Sequence, residues 1–255
     1  MALLEVQKLT KYFGGLAAVK DLTFDVHEGE ILALIGPNGA GKSTVFNLIT
    51  SYLKPTDGTV TFQGQNITRM KTPHIARLGV VRTFQETNVY RDMTVMRNVL
   101  IANHLHCRAS DWGEFFYSHQ ARADEQETTR RTLELLEYFG LSAFQNEVAR
   151  GLPHGHLRAL EIAMGMAADP KLLLLDEPFT GMNPEETDRA MEMVRGIRDN
   201  RGVTVLLVEH DMRAVMGLSD RIVVINFGQK IAEGKPVEIQ HNDLVIEAYL
   251  GKETD

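Results

Sequence analysis

Nine residues, GPNGAGKST from Gly36 to Thr44, narrow the possible folds of this chain more than any other stretch. They follow Ile31-Leu32-Ala33-Leu34-Ile35, five apolar residues bounded by Glu30 and Gly36, which read as a short buried strand. Gly36, Gly41, Lys42 and Ser43 occupy the fixed places of the pattern G-x-x-x-x-G-K-[ST]. The glycines, Gly36, Gly39 and Gly41, let the backbone through Pro37, Asn38 and Ala40 wrap a polyphosphate with its N–H groups turned inward. A helix is expected from about Lys42, because Val45, Phe46, Leu48 and Ile49 fall at helical spacing after Thr44. Its N-terminus presents unpaired N–H groups and the positive dipole end to the same anion. Lys42 would reach the β- and γ-phosphates, and the Ser43 hydroxyl would ligate Mg²⁺. The segment predicts a nucleoside triphosphate site.

The rest of the composition is compatible with that. The 255 residues suffice for one large domain with a real core. A hydrophobic content of 44% and a charged content of 24% are those of a globular protein. The net charge of −7 argues against a general nucleic-acid binder. The single Cys107 allows no intrachain disulfide and fits a reducing, cytosolic compartment. MALLEVQKLTK lacks the layout of a signal peptide, and no apolar run approaches the roughly 20 residues of a membrane span. Work at a membrane would need a partner.

In chain order, Leu4, Val6 and Leu9, then Leu22, Phe24 and Val26, predict two strands joined at Gly14-Gly15, with Tyr12-Phe13 just before the turn. A turn over 54–58 leads to a strand over 59–63 that extends this first sheet. Gly79 to Gln85 reads as a strand ending on a polar residue. From Arg91 to about Glu147 the pattern is helical, with Val95, Val99, Leu100, Leu133, Leu135 and Leu136 among many charges. Within it Trp112, Phe115, Phe116 and Tyr117 are expected to pack on neighbouring helices, and His104, His106 and Cys107 have no zinc-site spacing. Strand and helix then alternate: strands at 172–175, 203–208 and 222–225, helices at 185–198 and 211–218. A hairpin from Gly228 and a closing helix over 245–250 finish the chain. Alternation with wholly apolar strands predicts a parallel α/β core.

Two strand ends carry further chemistry. Leu172 to Pro178 reads LLLLDEP, so a buried strand delivers Asp176 to the sheet edge, where its carboxylate holds Mg²⁺ directly or through water. Glu177 comes next as a general base for the attacking water. The cluster Val208-Glu209-His210-Asp211 places His210 to hydrogen-bond a γ-phosphate.

In this order, GPNGAGKST, Gln85 after a strand, LLLLDEP and VEHD resemble the ATP-binding subunits of ABC transporters, over almost the whole chain. The resemblance implies an α/β fold with a P-loop NTPase core of the ABC ATPase type, an N-terminal antiparallel β subdomain and a helical lobe. It implies a single ABC domain over 1–255. About 1–90 and 155–255 form the catalytic core with the β subdomain, and about 91–154 form the helical lobe that ends in the signature loop. Phe13, with Tyr12 as the fallback, takes the place of the adenine-stacking aromatic, worth roughly 1–3 kcal/mol by analogy with base stacking. Gln85 takes the place of the glutamine that touches Mg²⁺ and the attacking water, and Gly181-Met182-Asn183 that of the dimer-contact loop. In the family two subunits close head to tail, each ATP lying between one phosphate loop and the other chain's signature loop.

That signature is where the chain departs. The family usually carries Leu-Ser-Gly-Gly-Gln; here Leu152-Pro153-His154-Gly155-His156 stands instead. Pro153 offers neither a hydroxyl nor an N–H to the partner's phosphate. Gly155 is retained, and a helix from about His156 still points its N-terminus at the anion. His154 and His156 either donate to that anion or merely cap the helix. This loop completes the partner's site, so a homodimer has two altered sites and a heterodimer one.

FGGLAAVKDLTFDV, GVVRTFQ, MTVMRNVL and EAYLG resemble the branched-chain amino acid uptake group, in the longer of its two paired ATPases; related systems carry short-chain amides or urea. The resemblance implies ATP and Mg²⁺, a second ATPase subunit in a heterodimer or homodimer, two transmembrane permease subunits and a periplasmic or extracellular solute-binding protein. The location implied is cytoplasmic, peripheral on the inner face of the cell membrane. The alternatives are a regulatory subunit with impaired hydrolysis, against which Glu177 and His210 stand, and a soluble ATPase of DNA repair or translation. The latter would need a long coiled coil or a second cassette, and the sequence has neither.

Overall fold

A computed structural model describes residues 1–83, 89–103 and 119–250. Strands β1 (Ala2–Phe13) and β2 (Leu16–His27) form the hairpin expected around Gly14-Gly15. With β4 (Asp57–Phe62) and β5 (Gln65–Asn66) they make an antiparallel sheet of order β2-β1-β4-β5. The second sheet has order β10-β9-β3-β8-β7-β6, built from β3 (Ile31–Ile35), β6 (Val80–Arg82), β7 (Leu172–Asp176), β8 (Thr204–Val208), β9 (Arg221–Asn226) and β10 (Gln229–Gly234). All its pairings are parallel except that of the edge strand β10.

The apolar runs at β3, β7 and β8 arise because both faces of this sheet are covered. Leu32, Leu34, Leu172, Leu174, Leu206 and Val208 pack toward the antiparallel sheet and helix α1 (Lys42–Ile49), which contributes Val45, Phe46, Leu48 and Ile49. Alternate residues, among them Ile31, Leu173, Leu175, Val205 and Leu207, face the opposite way. They meet the helices α5 (His154–Ala167) and α6 (Pro184–Arg201). The period of two thus loads two separate cores from one strand.

Helices α3 (Val95–Asn103) and α4 (His119–Tyr138) pack on each other and on α5, burying Val95, Val99, Leu135 and Leu136. Helix α7 (Met212–Leu218) comes after β8, capped by Asp211, whose side chain accepts the N–H groups of Arg213 and Ala214. The chain closes with α8 (Pro236–Gln240) and α9 (Asp243–Leu250) against Ile35 and Val224.

Some boundaries differ from those the sequence predicts. Of the strand expected from Gly79 to Gln85, the described part pairs with β7 over Val80–Arg82. Helices α2 (Thr72–Arg77) and α8 carry no signal in the sequence; both are too short to show a periodicity. Helix α5 starts at His154, two residues early. Pro153 is its N-cap, and Leu152 is held extended as a residue before proline must be. Gln85, His104, His106, Cys107, Trp112, Phe115, Phe116 and Tyr117 lie outside the described residues.

Candidate active site

Strands β3, β8, β7 and β6 end along one edge of the parallel sheet, and the site is assembled from the loops and helix ends beyond that edge. After β3 the chain turns tightly through 36–41 into α1. Gly41, the N-cap, has φ 106°, and a Cβ on it would lie 2.4 Å from the Ala18 carbonyl oxygen of β2. On Gly36 a Cβ would fall 2.1 Å from the Ile225 carbonyl oxygen of β9. Both glycines are therefore demanded by close backbone approach. Lys42 is buried, and its ammonium donates to the carbonyls of Gly36 at 2.6 Å and Pro37 at 3.1 Å. Burial pushes it below its ordinary pKa, against the pull of the Glu177 and Asp176 carboxylates. That opposition brings the two acidic residues into the field of the phosphate loop. Ser43 is exposed and Thr44 half-buried at the start of α1.

Asp176, the last residue of β7, is buried. Its Oδ2 accepts from Arg82 at 2.6 Å, while Oδ1 is buried and has no hydrogen-bond partner among the described residues. A buried carboxylate oxygen left without a donor is what a hard cation requires. Asp176 with Ser43 at the α1 N-terminus therefore fits Mg²⁺ in donor chemistry. Glu177 comes next with φ 49°, a left-handed backbone rare outside glycine, and its N–H donates to the Val208 carbonyl at 2.8 Å. That bond fixes the turn by which the chain leaves the sheet and lifts the Glu177 side chain to partial exposure.

His210 Nδ1 lies 3.9 Å from Glu177 Oε1 and 3.6 Å from Glu209 Oε2. Both lie beyond hydrogen-bond length. Glu209 does not stand out in the sequence, yet it is the most enclosed acid of the group at 1% exposure. Its carboxylate accepts the backbone N–H groups of Phe179 at 3.0 Å, His210 at 2.7 Å and Asp211 at 3.1 Å. A charged residue one step past an apolar strand usually reads as solvated, which hides it.

Phe13 and Tyr12 are both exposed near the β1–β2 turn, with the Lys11 ammonium 5.2 Å from the Phe13 ring centre. The hairpin approaches the phosphate loop at Ala18. In the altered loop Leu152 is buried, and Pro153 and His154 are exposed. No side chain caps α5. His156 instead packs against Phe144 of its own chain, ring centres 4.6 Å apart and planes tilted by 56°. His154 lies across Gly181, where a Cβ would come within 2.9 Å of the imidazole Cε1. Gly155 faces Glu186, which forms the α6 capping box with Asn183.

A glycine loop between a buried strand and a helix, with an acidic pair at the end of a parallel strand two places along the same sheet, defines a P-loop nucleoside triphosphatase. The antiparallel sheet and the helices α3 and α4 make it more specific. The chain belongs to the ABC transporter family, whose pattern matches residues 19–180. Residues 229–255 match the branched-chain amino acid ATP-binding cassette transporter family. The chain is 44% identical over 250 residues to the high-affinity branched-chain amino acid transport ATP-binding protein LivG of Salmonella typhimurium, with 98% of each chain covered. It is 44% identical to BraF of Pseudomonas aeruginosa, described in the same words, again over 98% of each. The crystal structure of a nucleotide-free ATP-binding cassette from an ABC transporter superposes with a TM-score of 0.86 at 30% identity, covering 99% of this chain and 100% of that one. An ADP conformation of such a cassette gives 0.85 at the same identity and coverage. The protein is thus an ATP-binding cassette, the ATPase component of its class.

Proposed function

We propose that the chain is an ATPase subunit of an importer for branched-chain amino acids. It would pair with a second ATPase subunit and work beneath two permease subunits on the inner face of the membrane, supplied by a solute-binding protein. Identity to LivG and BraF over nearly the whole length supports the solute class. No described helix is long and apolar enough to cross a membrane, consistent with permeases as separate chains.

The observation that carries the chemistry is the acidic turn at the end of β7, where one buried Asp176 oxygen has no partner among the described residues and Glu177 is lifted from the sheet beside His210. On ATP binding Lys42 exchanges the Gly36 and Pro37 carbonyls for phosphate oxygens, and the loop N–H groups take the rest. Mg²⁺, held by Ser43, Asp176 and Gln85, would neutralise charge developing on the phosphates. Glu177 accepts the proton of the attacking water, and His210 and Gln85 hold that water in line with the leaving group. Phe13 stacks on the adenine. Dimer closure on ATP and opening after hydrolysis drive the permeases through the Gln85 region and the helical lobe over about 91–154. Of the signature loop Leu152, Pro153, His154, Gly155 and His156, the exposed Pro153 and His154 would face the partner's nucleotide. Pro153 contributes no donor there, which favours a heterodimer in which only one site is altered. The test is Glu177→Gln: ATP binding should persist while turnover falls at least about a hundredfold. Unchanged turnover would remove Glu177 as the base.

A further inference from the structure

Strand β6 ends on Arg82, whose side chain is 8% exposed, and its guanidinium grips two other elements at once. Nη2 donates to Asp176 Oδ2 at 2.6 Å, and Nη1 donates to Asn47 Oδ1 of α1 at 2.6 Å. The group also lies 5.5 Å from the centre of the Phe46 ring. One planar fork therefore joins the phosphate-loop helix, the strand bearing Asp176 and the strand that leads toward Gln85. A buried ion pair is seldom worth more than apolar packing of the same volume, so stability alone does not account for it. Its geometric effect is specific. Turning the Asp176 carboxylate would break the Arg82 bond to Oδ2, so Oδ1 stays presented, without a donor among the described residues.

We propose that Arg82 is a positioning residue for the metal-binding carboxylate, orienting Asp176 Oδ1 and coupling it to the strand before Gln85. This rests on the reading of Asp176 as the Mg²⁺ ligand. A guanidinium that acted only through its charge would oppose a cation, and removing it would tighten metal binding. A guanidinium that aims the carboxylate does the opposite: removing it weakens metal binding.

Mn²⁺ can be titrated into the purified full-length chain, in excess over ADP, and followed by its solution EPR signal. Arg82→Gln should weaken Mn²⁺ binding at least about tenfold, as expected when a metal ligand loses its orienting partner, with ADP affinity in EDTA unchanged. Arg82→Lys, which keeps the charge but can reach only one acceptor, should fall between the two. Asn47→Ala, which leaves the ion pair intact, should weaken Mn²⁺ by about threefold, within the lesser effect of a remoter partner, and keeps the test open should Arg82→Gln fail to fold. Unchanged or tighter Mn²⁺ binding in Arg82→Gln overturns the proposal, as does an equal loss of ADP affinity in EDTA. Asp176→Asn separates the two readings. Loss of Mn²⁺ there but not in Arg82→Gln defeats Arg82 alone, and no loss in either defeats both.

Discussion

Glu209 Oε1 accepts the backbone N–H of Phe179 at 3.0 Å, a bond spanning 30 residues of sequence and joining the loop after β7 to the end of β8. The other carboxylate oxygen takes the N–H groups of His210 and Asp211. Glu177 and His210 are therefore held in register by an acid that is itself enclosed. Glu209→Ala leaves three backbone donors without their acceptor and should cost about 3 kcal/mol of stability. Urea unfolding measures it. Glu209→Gln, which keeps one acceptor oxygen, should cost about half as much. Equal midpoints for wild type and Glu209→Ala would show that the carboxylate holds nothing together.

Lys42 makes nucleotide affinity depend on pH in a definite direction. Burial holds its folded-state pKa below 10.5, so between that lowered value and 10.5 the folded chain binds fewer protons than the unfolded one. Lys42's contribution to stability therefore rises with pH across that window and is absent below it. Phosphates favour the charged ammonium, so ADP binding there should take up protons and weaken as pH increases. Calorimetry in buffers of different ionisation enthalpy should show the uptake, and Lys42→Ala should lack it. Proton release, or uptake that survives in Lys42→Ala, would place the titrating group elsewhere.

The altered signature loop yields to a gain-of-function experiment. Pro153→Ser with His154→Gly restores a hydroxyl, a backbone donor and a glycine ahead of Gly155. It also removes the imidazole from Gly181. Turnover of the purified chain alone should rise by about tenfold or more, the worth of one added donor to a developing charge. If turnover stays flat while the variant keeps its melting temperature, the substitutions at 153 and 154 do not limit hydrolysis.

Much of this is legible in the sequence because the decisive residues sit where local pattern and chemistry coincide. Gly36 to Thr44 combine a motif with a strand before and a helix after, and all of these are present. Asp176 and Glu177 end a run so apolar that only a strand buried on both faces can carry it. The hidden part depends on contacts distant in sequence. Nothing near Glu209 announces that Phe179 will supply a donor. Nothing in Leu152 to His156 reveals that His156 packs against Phe144 while His154 lies across Gly181. The choice between donating and capping for these histidines turns on such contacts: neither caps α5, His156 is turned inward, and His154 remains exposed.

The order of the strands carries one more consequence. Along the chain the working residues come as Lys42, Asp176, Glu177 and His210, but across the sheet β8 lies between β3 and β7. The machine is written in lateral position, about 4.8 Å to a strand, and not in reading order. Each loop can then be rebuilt without displacing the others, provided its strand keeps its place. The signature loop, where Pro153, His154 and His156 depart from the family's pattern, is mounted on no strand but leads into α5. Its substitution leaves the spacing of the hydrolytic edge untouched and alters only what this chain offers to another.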